Sequence, residues 1–176
     1  MMLKTVRLTL KPQTAGDATA LFAILNDAEA MRFWNRPPIT RLAVVEDLIS
    51  EQQTAMANSV CHYWTAWEGS DAIGSVDLSL IQDDAAELGF LFRRDRWGLG
   101  LASEAVAAVV AHAMGSLGLM RLAAAIRVEN LAAARVLEKA GFALVDRRQV
   151  TIASGESRTC AFYLLRRDQS AAANGR

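Results

Sequence analysis

This sequence has little cysteine and proline and no excess of either sign of charge. The two cysteines, Cys61 and Cys160, form no CxxC pair and have no histidine nearby at the spacing of zinc ligands. This argues against a disulfide framework and a metal site, and predicts that both are small core residues. Lysine plus arginine and aspartate plus glutamate number 19 each. Because there is no basic excess, bulk binding to nucleic acid is not expected, and an anionic ligand would need a local site.

Long hydrophobic runs are also absent. Residues 1–10 lack the apolar run of a signal peptide. The longest apolar stretch, 105–114, is too short to span a bilayer and contains His112. A chain of 176 residues with 52% hydrophobic and 22% charged residues is typical of one globular domain. We therefore expect a cytoplasmic protein with no membrane partner.

The hydrophobic periodicity predicts a mixed α/β domain over residues 1–168 and a flexible tail at 169–176. Its element order is β-α-α-β-β-β-α-β-α-β-β, with an antiparallel meander in the middle and a parallel crossover through the third helix. Strands are expected at 5–11, 62–67, 73–80, 86–92, 122–128, 142–152 and 158–165. Helices are expected at 15–26, 40–57, 103–117 and 131–140, with Thr40 and Asn130 as N-caps, Gly141 as the final stop and a last turn at Ser154 and Gly155.

The segment 97–103, Trp-Gly-Leu-Gly-Leu-Ala-Ser, joins a predicted strand directly to a predicted helix. Glycines at 98 and 100 allow successive N–H groups to turn towards one point, and the helix N-terminus adds partial positive charge there. A diphosphate would fit this arrangement. Since an isolated Gly-x-Gly is a weak signal, the alternative that these glycines only make a tight connection stays open here.

Two other phosphate-binding motifs are excluded by the residues of this region. A P-loop needs a lysine after its last glycine, and no lysine occurs between Lys11 and Lys139. A dinucleotide-binding fingerprint needs a third glycine where Ser103 stands, within a βαβ unit. The strands before this loop instead follow a meander pattern.

Five ordered segments resemble the GNAT superfamily of N-acetyltransferases, in the branch that includes the ribosomal-protein-alanine N-acetyltransferases. They are TVRLTLKPQTAGDATALFAILNDAEAMRFW (5–34), AELGFLF (86–92), WGLGLASEA (97–105), RLAAAIRVEN (121–130) and LAAARVLEKAGF (131–142). The resemblance covers roughly residues 5–165. It implies the GNAT fold and transfer of an acetyl group from acetyl-CoA, without a metal, to a primary amine. The acceptor would be a protein N-terminus, an amino acid or a small amine.

The resemblance also implies a set of cofactor-binding residues. Main-chain N–H groups of the loop would bind the diphosphate, and main-chain groups of the preceding strand would bind the pantetheine arm. Asn130 would contact the same arm as well as cap its helix. The full set is Leu91, Phe92, Trp97, Gly98, Leu99, Gly100, Leu101, Ala102, Ser103 and Asn130.

Catalysis requires a base for the ammonium group of the acceptor and a proton or dipole for the departing thiolate. Glu87 matches the acidic residue before Gly-Phe/Tyr in this branch and is the candidate base, with Asp77 in reserve. The alternative for Glu87 is a solvated strand carboxylate. For the thiolate, water, Asn130 at its helix N-terminus, Tyr63 and Tyr163 remain open. Relatives carry a serine or a tyrosine where Ala133 and Leu137 stand here.

The remaining polar and aromatic residues receive lesser roles. Phe33 and Trp34, in a Pro-flanked loop, are candidate acceptor contacts, as is Asp77. We expect His112 on the surface and Glu104 only to complement the helix dipole. A second function, a GNAT domain that binds acyl-CoA without turnover, is motivated by the two aliphatic replacements. A homodimer is left open.

Overall fold

The structure, a computed structural model, describes residues 1–151 and 155–167. The strands are β1 Leu3–Lys4, β2 Thr9–Pro12, β3 His62–Glu68, β4 Asp71–Gln82, β5 Ala85–Phe92, β6 Arg121–Arg127, β7 Ala143–Thr151 and β8 Ser157–Arg166. The helices are α1 Ala18–Leu25, α2 Leu42–Ala57, α3 Leu101–Gly115 and α4 Leu131–Lys139, with short 3-10 turns at Ala15–Asp17 and Arg94–Arg96. The expected turn residue Ser154 and the expected tail at 169–176 lie outside the described residues.

The described strands form one mixed sheet in the order β1-β2-β3-β4-β5-β6-β8-β7. β3, β4 and β5 are consecutive antiparallel neighbours, which confirms the predicted meander. β5 and β6 run parallel, with α3 as the crossover between them. The predicted mixed α/β fold is therefore confirmed. Among the described residues, no helix is both long and apolar enough to cross a membrane.

Alternation along the strands gives the sheet two different faces. On one face, which we call the α3 face, Val76, Leu88 and Leu122 pack with α3 and α4 in the larger core cluster. On the other, the α1 face, Leu91 packs with residues of α1 and α2, among them Leu21, in a second cluster. Odd-numbered residues of β5 and β6 therefore point to the α1 face, and even-numbered residues up to Ile126 point to the α3 face.

β5 and β6 pair over only three residues, Ala85–Glu87 with Arg121–Ala123. Beyond Glu87, β5 stays paired with β4 as far as Phe92, whereas β6 stays paired with β8 as far as Arg127. The two neighbouring strands therefore diverge and leave a gap between their carboxyl ends. We call this the β5–β6 gap.

The predicted strand at 5–11 is wrong in its first half. The chain makes a turn instead, with Thr5 N donating to Leu8 O at 2.9 Å, and Val6 is almost fully exposed. The alternating residues suggested a strand, but the segment forms a turn because a distant residue holds it. The carboxylate of Glu104 accepts hydrogen bonds from Thr5 and Arg7. Within the predicted range only its second half is a strand, as part of β2. The two-residue strand β1 lies before that range.

Two helix starts and one surface assignment also differ from expectation. Arg41, extended at φ −131°, takes the N-cap position of α2 that was predicted for Thr40. α3 begins at Leu101, two residues early, because Gly100 turns the chain at φ 77°. His112, expected on the surface, is only 8% exposed and its ring packs edge-on against Trp64 at a centroid distance of 5.8 Å. The apolar stripe of α3 is wider than its sequence pattern indicated, because aromatic and histidine rings pack together beneath it.

Candidate active site

The loop between β5 and α3 is exposed and curled around two left-handed glycines. Gly98 and Gly100 have φ values of 75° and 77°, a region that residues with a Cβ rarely adopt. The Trp97 indole nitrogen donates to Phe92 O at 2.9 Å and fixes the loop to the end of β5. Trp97 therefore has a structural contact of its own, which the motif alone did not indicate.

Within the described residues, the N–H groups of residues 98–103 donate no hydrogen bond to the protein. The next amide, Glu104 N, bonds to Gly100 O at 3.0 Å and begins the regular pattern of the helix. Gly98, Leu99 and Gly100 are exposed. A run of available amides at the N-terminus of a fifteen-residue helix is a favourable position for an anion.

A carboxylate at the start of α3 holds the N-terminal turn against this loop. Glu104 Oε1 accepts from Thr5 Oγ1 at 2.5 Å and from Arg7 N at 2.8 Å, and its Oε2 accepts from Arg7 Nε at 2.7 Å. Burial acts to raise the pKa of Glu104, but the hydrogen bonds from Thr5 and Arg7 outweigh it and the pKa is lowered. Glu104 thus does more than complement the helix dipole. We call Thr5, Arg7 and Glu104 the N-terminal clamp.

The clamp also sets the direction of one loop amide. Arg7 Nη1 donates to Leu99 O at 2.9 Å. In a trans peptide the C=O of Leu99 and the N–H of Gly100 point in opposite directions. Because Arg7 holds the carbonyl on its own side, the Gly100 N–H points away from Arg7. Sequence reasoning missed this role, since 92 positions separate Arg7 from Leu99 and no local pattern connects them.

Two carboxyl groups lie on the α1 face beside the β5–β6 gap. Asp77 on β4 is 9% exposed and pairs with Gly89, while Glu87 on β5 is half-buried and pairs with Ser79. The two acids are diagonal neighbours on adjacent strands. Burial, with the negative charge of Glu87 as the second cause, raises the pKa of Asp77 to about 7, against an opposing hydrogen bond from Ser79. Burial likewise raises the pKa of Glu87.

Gly89 makes room for the buried carboxyl group. A Cβ at residue 89 would lie 2.5 Å from Asp77 Oδ1, closer than two such atoms can approach. The absence of a side chain on β5 therefore lets the Asp77 carboxyl lie across the strand next to the gap. The sequence feature is the Glu-Leu-Gly step of β5, in which the acid and the glycine lie two residues apart on one face.

The two candidate tyrosines lie in different places. Tyr63 pairs with Asp77 on the α1 face, and burial, with the negative charge of Asp77 second, raises its pKa to about 12. Its hydroxyl therefore keeps its proton at neutral pH. Tyr163 is 5% exposed in the core of the α3 face. Only Tyr63 is near the carboxyl pair.

The other predicted site residues are placed as follows. Asn130 Oδ1 accepts from Ala133 N at 3.1 Å, which confirms its N-cap role. Trp34 is half-buried and packs with the α1 and α2 cluster. Phe33 is half-buried beneath the guanidinium of Arg32, 4.3 Å from its ring centroid. Both aromatic residues belong to the loop that covers the end of the α1 face.

The family resemblance implies that this loop binds coenzyme A, and on that expectation replacing Arg7 with glutamine should weaken the binding by about tenfold or more. The reason is that Leu99 O loses a charged donor and the Gly100 N–H is no longer held in one direction. Isothermal titration with coenzyme A measures the effect. The matched control is Arg121→Gln, which breaks a comparable exposed pair between Arg121 Nη2 and Asp84 Oδ1 at 2.6 Å. Equal affinities of Arg7→Gln and wild type would contradict the role of the clamp.

Replacing Asp77 with asparagine should stabilise the fold at pH 8. Folding raises the pKa of Asp77 from its ordinary value of 3.8 to about 7. The protonated carboxyl therefore favours the folded state, and this contribution is complete below pH 3.8 and lost as the pH rises through about 7. Asparagine resembles the neutral acid at every pH. Urea unfolding at pH 4 and pH 8 should show the advantage of the variant only at pH 8, and an equal difference at both would refute the prediction.

Comparison with known proteins agrees with this geometry. The family model described as an acetyltransferase (GNAT) domain matches residues 7–143. A Bacillus subtilis (strain 168) protein named uncharacterized N-acetyltransferase YoaA is 30% identical over 148 residues, which cover 80% of this chain and 82% of that protein.

Two solved structures share the fold at low sequence identity. The RimL ribosomal L7/L12 alpha-N-protein acetyltransferase in complex with coenzyme A has a TM-score of 0.87 at 17% identity, covering 94% of this chain and 98% of that one. The spermidine N-acetyltransferase of Vibrio cholerae in complex with coenzyme A and spermine has a TM-score of 0.82 at 18% identity, with the same coverage of 94% and 98%. The free amides at the start of α3, the divided sheet and the family match together lead to one conclusion: the chain belongs to the GNAT family of acetyltransferases.

Proposed function

We propose that this enzyme transfers an acetyl group from acetyl-CoA to a primary amine by direct attack in a ternary complex. The observation that carries the proposal is the row of available amides at 98–103, next to a gap between two strands that is bordered by a carboxyl pair. The related structures named above bind coenzyme A, and one of them was solved with a polyamine. A protein N-terminus, an amino acid and a small amine are all compatible acceptors at this level.

The loop and the gap suit the two halves of coenzyme A. The amides of residues 98–103 and the positive end of the α3 dipole would hold the diphosphate. The peptide-like pantetheine arm would lie in the β5–β6 gap and bond to main-chain groups of β5. Because successive residues of a strand direct their N–H and C=O groups to opposite sides, only one of Leu91 and Phe92 can face the gap.

The carboxyl pair supplies the base. The acceptor arrives as an ammonium ion and must lose a proton before its nitrogen can attack the thioester carbonyl. We assign the direct contact to Glu87, which is half-buried on the strand that borders the gap, and place the buried Asp77 behind it. Two close carboxyl groups titrate as a pair, and burial moves that titration towards neutral pH.

The departing thiolate has fewer protein partners than the ammonium group. Tyr63 lies on β3, two strands from the gap and therefore about 10 Å away, and Tyr163 is buried in the core of the α3 face. Ala133 and Leu137 are buried and carry no hydroxyl. Water and the N-terminus of α4, with Asn130 as its cap, are the partners that remain.

The second candidate function is a GNAT domain that binds acyl-CoA without turnover. It is favoured by one observation: Ala133 and Leu137, where many relatives carry a hydroxyl group, are aliphatic and buried in the core. Release of thiol from acetyl-CoA in the presence of a panel of peptides and amines distinguishes the two functions. Tight binding of coenzyme A with no release for any acceptor would favour the binding module.

Gly100→Glu should abolish binding of coenzyme A, because a side chain and a negative charge would enter the row of amides. The matched control is Gly69→Glu in the β3–β4 hairpin. Gly69 also has a positive φ, 61°, and nothing lies within 4 Å of the position its Cβ would take. The same charge and the same backbone strain are thus introduced away from the site. Titration with coenzyme A should show normal affinity for Gly69→Glu only; unchanged binding by Gly100→Glu would remove the loop from the site.

Glu87→Gln should lower kcat by about a hundredfold, the usual contribution of a general base, with little change in the KM for acetyl-CoA. The wild-type rate should rise with pH as Glu87 loses its proton, and this rise should lie above the ordinary range of a glutamate because burial raises the pKa of Glu87. The fall in kcat of the variant should become smaller at higher pH, where more of the acceptor amine is already deprotonated. Asp83→Asn, which alters an exposed carboxylate on the neighbouring hairpin, should leave the rate and its pH profile unchanged. A wild-type rate in Glu87→Gln would exclude it as the base.

A further inference from the structure

Two arginines meet at the far end of the α1 face, away from the carboxyl pair. Arg127 ends β6 and pairs with Cys160 of β8, and Arg158 lies two residues earlier on β8, on the same face. Arg158 Nη1 donates to Trp34 O at 2.6 Å, and Arg127 Nη1 reaches Arg32 O at 3.5 Å. Both arginines therefore lie beneath the loop that carries the predicted acceptor contacts.

These two guanidinium groups are incompletely paired. The Arg158 side chain is only 7% exposed, yet its Nε has no hydrogen-bond partner among the described residues. Within the part of the chain that the structure describes, Arg127 Nε is also buried without a hydrogen bond. Glu129 Oε2 lies 3.7 Å from this Nε, and Glu156 Oε1 lies 3.8 Å from Arg127 Nη2. Glu156 is exposed and also contacts Arg158 Nη2 at 3.2 Å. A buried cation with unmade hydrogen bonds is unfavourable unless an anion completes them.

A shallow apolar floor connects the carboxyl pair to the two arginines. Glu87 pairs with Ala123, and Ala123, Ala125 and Arg127 follow one another on the α1 face of β6. Both alanines are exposed, whereas Leu122 and Ala124 between them are buried on the other face. Small side chains in the open at this point leave a groove along β6. It is acidic at the Glu87 end and basic at the Arg127 end.

We propose that the acceptor carries a carboxylate as well as its amine, and that Arg127 and Arg158 bind this carboxylate while the amine lies at Glu87. The inference rests on the proposed function, since it names the class of acceptor for the same site. Arginine forks bind carboxylates with paired, charge-assisted hydrogen bonds. The exposed Glu156 already presents such a group to both guanidinium ions, and an acceptor carboxylate replaces it.

The length of the groove limits the acceptor further. Four residues of β6 separate the level of Glu87 from Arg127, about 13 Å at 3.3 Å per residue. A free α-amino acid is too short to reach both ends. Three residues of extended peptide span about 10 Å, and the arginine side chain covers the rest. A short peptide with a free N-terminus and a carboxylate about three residues away therefore fits, whereas a polyamine has no group for the basic end.

The test compares trialanine with trialanine amide, which differ only in the carboxylate, and includes spermidine as a purely cationic acceptor. For wild-type enzyme, thiol release should show a KM for trialanine at least tenfold lower than for its amide. In Arg127→Gln the two peptides should become equal while the KM for acetyl-CoA stays unchanged. Arg127 is chosen because its side chain is 26% exposed against 7% for Arg158, and because its bond to the loop, 3.5 Å to Arg32 O, is longer than the 2.6 Å bond from Arg158 to Trp34 O. Arg121→Gln, at the opposite end of β6, should keep the full preference for trialanine.

The outcomes separate this inference from the proposed function. Equal KM values for the two peptides in wild-type enzyme, a preference that survives Arg127→Gln, or a lower KM for spermidine would each overturn the carboxylate site. If no amine releases thiol, the proposed function fails. In that case, titration of both peptides into the protein with coenzyme A present still tests whether the two arginines bind a carboxylate. Tighter binding of trialanine, lost in Arg127→Gln, supports it, and equal or absent binding of the two peptides overturns it.

Discussion

The early end of pairing between β5 and β6 is the constraint on which the rest of the site depends. After Glu87 and Ala123, each strand keeps only its outer neighbour. Main-chain polar groups on the inner sides of the strands are left without a strand partner, and such groups need another partner or solvent. An extended amide-containing ligand would satisfy them as a third strand does. The gap thus explains why the loop amides, the carboxyl pair and the groove along β6 all converge on this part of the sheet.

The two faces of the sheet divide the work of the site. The α3 face is a continuous apolar core that fixes α3. Among the described residues, the first amides of α3 donate no hydrogen bond to the protein. The α1 face is only partly covered, by α1 and α2 over β3 to β5. This leaves β6 exposed, with Ala123 and Ala125 as its floor. Under the proposed function, one ligand would approach past the end of the helix and the other over the open face, which is the geometry that a direct transfer between two substrates requires.

The proposed function gives a reason for burying a carboxyl group on this sheet. On β4, the neighbours of Asp77, Val76 and Leu78, are buried in the apolar core of the α3 face. Asp77 points to the α1 face, and Gly89 makes the space for its carboxyl group. Its raised pKa reduces the free energy of unfolding at neutral pH, since the folded state favours the proton. Perturbed acids of this kind are concentrated at sites that move protons. The same balance appears at Arg158, a buried cation whose Nε has no partner among the residues the structure describes.

The sequence by itself determined what depends on near neighbours along the chain. The hairpin between β3 and β4, the cap at Asn130 and the stop at Gly141 were predictable because each depends on residues a few positions apart. The family resemblance and the order of elements followed from the same local patterns. Only the tertiary structure decided the clamp between Arg7 and Glu104, the diagonal placement of Asp77 and Glu87, and the meeting of Arg127 with Arg158. Each of these joins segments far apart in the chain, where alternation gives the face of a strand but not the register of its neighbour.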